Sequence, residues 1–197
     1  MHHRYRLVFH LRHRQTVQGS KLSTELPEQI LPLSWLIGRW IGVGTGQYPT
    51  VPDFRFGQEV QFSCDGGPFL TYWSRSWELD DNGEQIRPTA TESGFLRPQP
   101  EQGVEMLLTH PMGYSEVWEG EVQVTAMDQQ QILGAKMELT TDVVARTPSA
   151  KPYTAGHRLY GLVDEDLLWT FDMSAMELPL QNHLAARLQA VPSNSDG

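Results

Sequence analysis

The chain is a series of short strand-like runs, each closed by turn residues, and no long helical stripe interrupts them. Such runs lie at 36–44, 56–64, 69–79, 91–96, 104–109, 114–118, 122–127, 132–140, 157–163 and 167–173. Between them stand turn formers such as Asp65-Gly66-Gly67-Pro68, Asp80-Asp81-Asn82-Gly83 and Asp164-Glu165-Asp166. Asp and Asn side chains bond their own backbone in turns, and glycine accepts the positive φ that many turns need. Links this short favour an all-β antiparallel meander, as sandwich or barrel. Only full closure removes the two exposed edges of such a sheet. The expected fold is a closed up-and-down barrel of about ten strands, wide enough for a small ligand.

Two segments are less clear. Ser34-Trp35-Leu36-Ile37 offers one helical turn at best. At 178–191, Leu180, Leu184, Leu188 and Val191 fit a helix stripe, whereas Leu180, Leu184, Ala186 and Leu188 share one strand face. Barrel closure favours the strand, after a loop at Pro179. With 197 residues the chain suits one domain. Residues 1–30 read as a flexible basic extension, 31–191 as the barrel and 192–197 as a polar tail.

Charge narrows the partners. Net charge is -9, yet residues 1–21 hold five basic groups (Arg4, Arg6, Arg12, Arg14, Lys21) and no acid. The remainder sets 10 basic groups against 24 acidic ones. A body this acidic repels phosphate backbones, which argues against nucleic-acid binding. No apolar run approaches the roughly 18 residues of a membrane span. Leu7-Val8-Phe9 is too short and too closely flanked by His10, Arg12, His13 and Arg14 for a signal peptide. The lone cysteine, Cys64, forbids an intrachain disulfide, fits a reducing cytoplasmic setting and reads as a small core filler.

Three motifs carry more. Gly38-Arg39-Trp40-Ile41-Gly42-Val43-Gly44 is not a dinucleotide fingerprint, because no strand–helix crossover surrounds it. Strand glycines permit tight coiling and close backbone approach. Trp40 beside them can plug a barrel end, and Gly46-Gln47-Tyr48-Pro49-Thr50 reads as a loop at the mouth. The second motif is Glu92-Ser93-Gly94-Phe95-Leu96-Arg97. The third is Pro179-Leu180-Gln181-Asn182-His183-Leu184.

Together and in this order, the three motifs resemble the nitrobindin family over about residues 32–190. The resemblance implies a ten-stranded barrel of the calycin type, similar to fatty-acid-binding proteins. It implies one haem b in a shallow, solvent-facing pocket, mostly ferric, reactive toward nitric oxide and peroxynitrite. His183 matches the family's iron ligand, and Thr50 and Lys151 match haem-contacting positions. A hydroxyl and an ammonium suit the haem propionates. Neutral imidazole is a suitable donor to haem iron.

The other histidines match nothing. His2, His3, His10 and His13 lie in the basic extension, and His110 and His157 default to structural roles. Some relatives place a Met-His pair where this chain has Thr89-Ala90. No distal histidine is evident, so the far side of the pocket is expected to be apolar. The resemblance implies peroxynitrite isomerisation to nitrate, by a monomer or a homodimer. Two other readings remain: a non-enzymatic haem or nitric oxide carrier or sensor, and a haem-free barrel for an apolar carboxylate. The last needs a buried cation, for which Arg158 and Arg75 are candidates.

Overall fold

A computed structural model describes residues 26–192. The four N-terminal histidines, the basic groups up to Lys21 and residues 193–197 lie outside the described residues. Ten strands follow: β1 (Gly38–Tyr48), β2 (Val51–Ser63), β3 (Leu70–Leu79), β4 (Gln85–Pro98), β5 (Gly103–His110), β6 (Tyr114–Asp128), β7 (Gln131–Arg146), β8 (Tyr153–Val163), β9 (Asp166–Ala175) and β10 (Gln181–Val191). Each pairs with its sequence neighbours, and β10 returns to β1, so the barrel closes as expected. The C-terminal segment is therefore strand. Its ladder runs from Arg39 opposite Val191 to Gly46 opposite Leu184, pairing edges that a helix would leave bare.

Two strands are longer than the sequence suggests. The runs at 114–118 and 122–127 are one strand, β6, because Glu119 and Glu121 both point outward to solvent. Gly120 between them lets β7 pass close, with the position of an added Cβ 1.8 Å from the Glu138 carbonyl oxygen. Strand β1 continues through residues read as a loop, and only Pro49 and Thr50 form the turn. Tyr48 is buried, and its hydroxyl donates to the Ala175 carbonyl at 3.0 Å and accepts from the Ala175 N–H at 2.9 Å.

One end of the barrel is plugged. Glu28–Leu36 forms a 3-10 segment of nine residues, longer than the single turn expected and starting inside the stretch read as an extension. Pro32 has no N–H to give a regular helical ladder, which limits the segment to tight turns. Ile30, Leu33 and Leu36 are fully buried against β4, β6 and β7. Trp40 lies beside them, its indole donating to the Leu36 carbonyl at 2.8 Å.

Above the plug Phe62, Leu70, Leu96, Met106, Leu108, Trp118, Met137 and Leu188 are buried as the barrel core. Cys64 is half-buried at the core's margin, as a small filler would be. Closure depends on the β1–β10 seam. An added Cβ at Gly42 would sit 2.2 Å from the Arg187 carbonyl oxygen and 2.8 Å from Leu188 Cα. Both are backbone atoms and neither can swing away. Gly42→Ala is expected to destabilise the barrel by about 1–3 kcal/mol, the usual cost of forced overpacking. A urea midpoint equal to wild type would show that the seam has slack.

Candidate functional site

In an up-and-down barrel alternate turns share an end. The turns after β1, β5 and β7 and the β9–β10 connection surround a cavity of about 330 Å³, opposite the plug. With its open mouth the atom-free space is about 1120 Å³. Thr50, Lys151 and His183 all line it, together with Val51, Met112, Phe171 and Met173.

His183 occupies an irregularity in β10. Asn182 pairs with Asp172 and Leu184 with Phe171, so His183 is the extra residue of a bulge. Bulges re-aim a side chain relative to the regular pleat. The ring is caged by Tyr48, Phe54 and Phe171, with centroids at 5.4, 6.3 and 6.0 Å. Its Nδ1 lies 3.0 Å from the Gln47 carbonyl oxygen. A nitrogen facing a carbonyl must carry the proton, which leaves the Nε2 lone pair free. Burial pushes the imidazole below its ordinary pKa, and the Gln47 carbonyl offsets only part of that. The ring is therefore neutral at pH 7, as a metal ligand must be.

Thr50 and Lys151 are exposed at the rim. Lys151 makes no ion pair among the described residues, while its carbonyl accepts from the Tyr114 hydroxyl at 3.0 Å. Ala90 lines the cavity, and Thr89 Oγ1 is 2.8 Å from Ser76 Oγ.

The opposite wall carries ionisable groups that the sequence reading did not place there. His110, Glu92, Glu116 and Arg158 line the same cavity. His110 Nε2 lies 2.8 Å from Glu116 Oε2, which also accepts from the Trp118 indole at 3.1 Å. Glu92 takes two bonds from Arg158, at 2.6 and 3.1 Å, and one from Tyr72 at 2.7 Å. Burial alone would raise the Glu92 carboxyl. The Arg158 guanidinium outweighs it and holds the pKa at about 2. All four residues fall on core-facing positions of their strands, in phase with Leu96, Leu108, Trp118 and Tyr160. Ionisable residues on a core-facing phase must find partners, and that was the available sequence signal.

The remaining candidates lie elsewhere. Arg75 sits on the outer face, between Trp73 and Trp77 and bonded to Glu59. His157 is also outside, 2.9 Å from Glu138. Neither reaches the lumen. Arg158 is already bound by Glu92, so among the described residues no unpaired guanidinium faces this cavity to await a ligand carboxylate. A groove of about 640 Å³ beside Val43, Lys136 and Arg187 lies among exposed side chains and contains no histidine, cysteine or carboxylate.

A family model described as the THAP4-like, heme-binding beta-barrel domain matches residues 29–189. The chain belongs to this family. Haem is therefore its cofactor, and the rim cavity is the opening in this barrel whose lining offers a free imidazole nitrogen.

Named relatives agree with the family. A protein named peroxynitrite isomerase from Nocardioides sp. is 53% identical, over 83% of this chain and 96% of its own. A ferric nitrobindin-like protein from Kineococcus radiotolerans is 42% identical, over 86% of this chain and 97% of its own. The crystal structure of Rv2717c from M. tuberculosis superimposes with a TM-score of 0.77 at 34% identity, over 85% of this chain and all of that one. Among the described residues no helix is long and apolar enough to cross a membrane.

Proposed function

We propose that the chain is a ferric haem protein that isomerises peroxynitrite to nitrate, with His183 as the protein ligand to iron. The observation that carries this is the His183 ring: bulged into the rim cavity, caged by three aromatics and bonded at Nδ1 to Gln47, with Nε2 free. Fixing one ring nitrogen orients the other and raises its donor strength. Relatives named for this isomerisation support the reading.

Thr50 and Lys151, both exposed at the rim, would hold the propionates. Lys151 supplies local positive charge on an acidic body. Phe171, Met173 and Val51 line the cavity and would give the flat ring an apolar seat. Bound ferric haem would supply Lewis-acid and one-electron chemistry toward a peroxide bond. The chain's own part would be to hold the group by His183 and to surround it with the apolar lining of the cavity. Nitric oxide is small and neutral and enters the same space.

Peroxynitrite and nitrate have the same atoms and charge, so the reaction needs no co-substrate. The test is peroxynitrite decay followed by stopped flow with hemin-loaded protein, haem-free protein and hemin alone. Acceleration by the loaded protein beyond hemin alone, with nitrate as product, is expected. Reversible nitric oxide binding without acceleration would instead identify a carrier or sensor.

A further inference from the structure

Methionine is concentrated at the mouth of the rim cavity. The chain has seven, and Met112, Met173 and Met176 line this cavity. Met173 packs partly buried against the core, whereas Met112 and Met176 are 53% and 39% exposed. Met106 and Met137 are fully buried. Met127 is 58% exposed, but it stands beside Asp128 near the end of β6, at the plugged end of the barrel.

The backbone singles out Met176. Its φ is 55°, and among the described residues it is the one apolar side chain at a positive φ; the other non-glycine cases are Asp, Glu and Gln. Left-handed backbone is costly for a side chain that cannot bond locally to it. A residue kept there against its preference points to a use for the side chain. The turn that carries Lys151 ties both methionines together. Thr147 N–H donates to the carbonyl of Gly113, next to Met112, at 2.9 Å. Met176 N–H donates to the Pro152 carbonyl at 3.0 Å. On an acidic body, the ammonium between these turns draws an anionic oxidant to this place.

We propose that Met112 and Met176 are an oxidant-modification site of the haem-free barrel, where peroxynitrite converts both thioethers to sulfoxides and so weakens the cavity's hold on haem. The sulfur lone pair attacks the terminal peroxide oxygen. An S–O bond forms, the O–O bond breaks, and its electron pair leaves with nitrite. Sulfur is oxidised by two electrons and the peroxide is reduced by two, so no further reagent is needed. A soft apolar group becomes a polar one, and sulfoxide reduction reverses the change. An apolar ring seated at this mouth would then meet S=O groups that hold water. The inference rests on the rim cavity being the haem seat, as proposed above, and not on the isomerisation.

The test treats haem-free protein with peroxynitrite, locates sulfoxides by peptide mass spectrometry and measures hemin affinity by Soret titration before and after. Met112 and Met176 are expected to gain oxygen ahead of Met127, although Met127 is the more exposed. Hemin affinity should fall about tenfold, the scale of placing one polar group in an apolar contact. Methionine sulfoxide reductase should restore it, which separates this change from tyrosine nitration. A double variant, Met112→Leu with Met176→Leu, keeps the apolar volume and should hold its affinity through the treatment. Met127→Leu should lose affinity as wild type does. Oxidation of Met127 ahead of the rim pair, an oxidised pair with undiminished hemin affinity, or equal loss in the double variant would overturn the proposal. Untreated His183→Ala protein that binds hemin as wild type does would instead show that the haem seat lies elsewhere, and the inference falls with that reading.

Discussion

Hemin added to the His183→Ala protein is expected to remain unligated, with no saturating Soret change at one equivalent. The side chain is the one candidate iron donor of the cavity whose ring is both caged and fixed by a backbone carbonyl. Its removal should weaken hemin binding by more than about 100-fold, since losing only an outer partner of a ligating histidine costs 10- to 100-fold. Added imidazole should restore the spectrum, because the variant leaves a ring-sized gap among Tyr48, Phe54 and Phe171.

The pH dependence has a definite sign. Burial lowers the His183 pKa, so the ring is neutral at pH 7 and ligation releases no proton there. Below the depressed pKa protons compete for Nε2, and hemin affinity should fall with falling pH. A histidine-type spectrum surviving in His183→Ala would place the ligand elsewhere.

The barrel was legible because strand runs and turn formers alternate along the whole chain, and closure is the simplest way to hide two edges. His183 was legible only as part of a motif. The bulge that aims it depends on pairing with β9, which no local pattern reveals. The continuation of β1 was missed because Gly46-Gln47-Tyr48-Pro49 reads as a turn. What keeps it a strand is a bond from Tyr48 to Ala175, far along the chain. Gly46 is likewise explained from across the sheet, where the Phe54 ring fills the place of its side chain.

The place of His110 in the cavity lining was not legible for a different reason. Its local sequence has no feature of a site. Its position opposite His183 exists only once ten strands have closed into a ring. The phase of Glu92, His110, Glu116 and Arg158 was present in the sequence, but phase assigns a residue to the core without naming its partner.

That buried cluster carries the second large effect. Glu92→Gln is expected to destabilise the protein by about 3–5 kcal/mol at pH 7, the scale for stranding one member of a buried ion pair. The substitution keeps the shape but leaves Arg158, 2% exposed, facing an amide among Trp118, Trp169 and Phe171. Replacing both partners with apolar residues, as in Glu92→Leu with Arg158→Met, should recover much of the loss, because no charge is then stranded.

Acid provides an independent check. The Glu92 carboxyl is held at about 2 in the fold, against an ordinary value of 4.5. Its contribution is therefore complete above about pH 4.5 and is lost as pH falls toward 2. Wild-type urea midpoints should drop across that window, and Glu92→Gln should drop less, so the two curves converge in acid. Parallel curves, or equal midpoints at pH 7, would show that the pair holds nothing together. Convergence would mean that the pair bracing the wall opposite His183 is also a main support of the barrel end around the rim cavity.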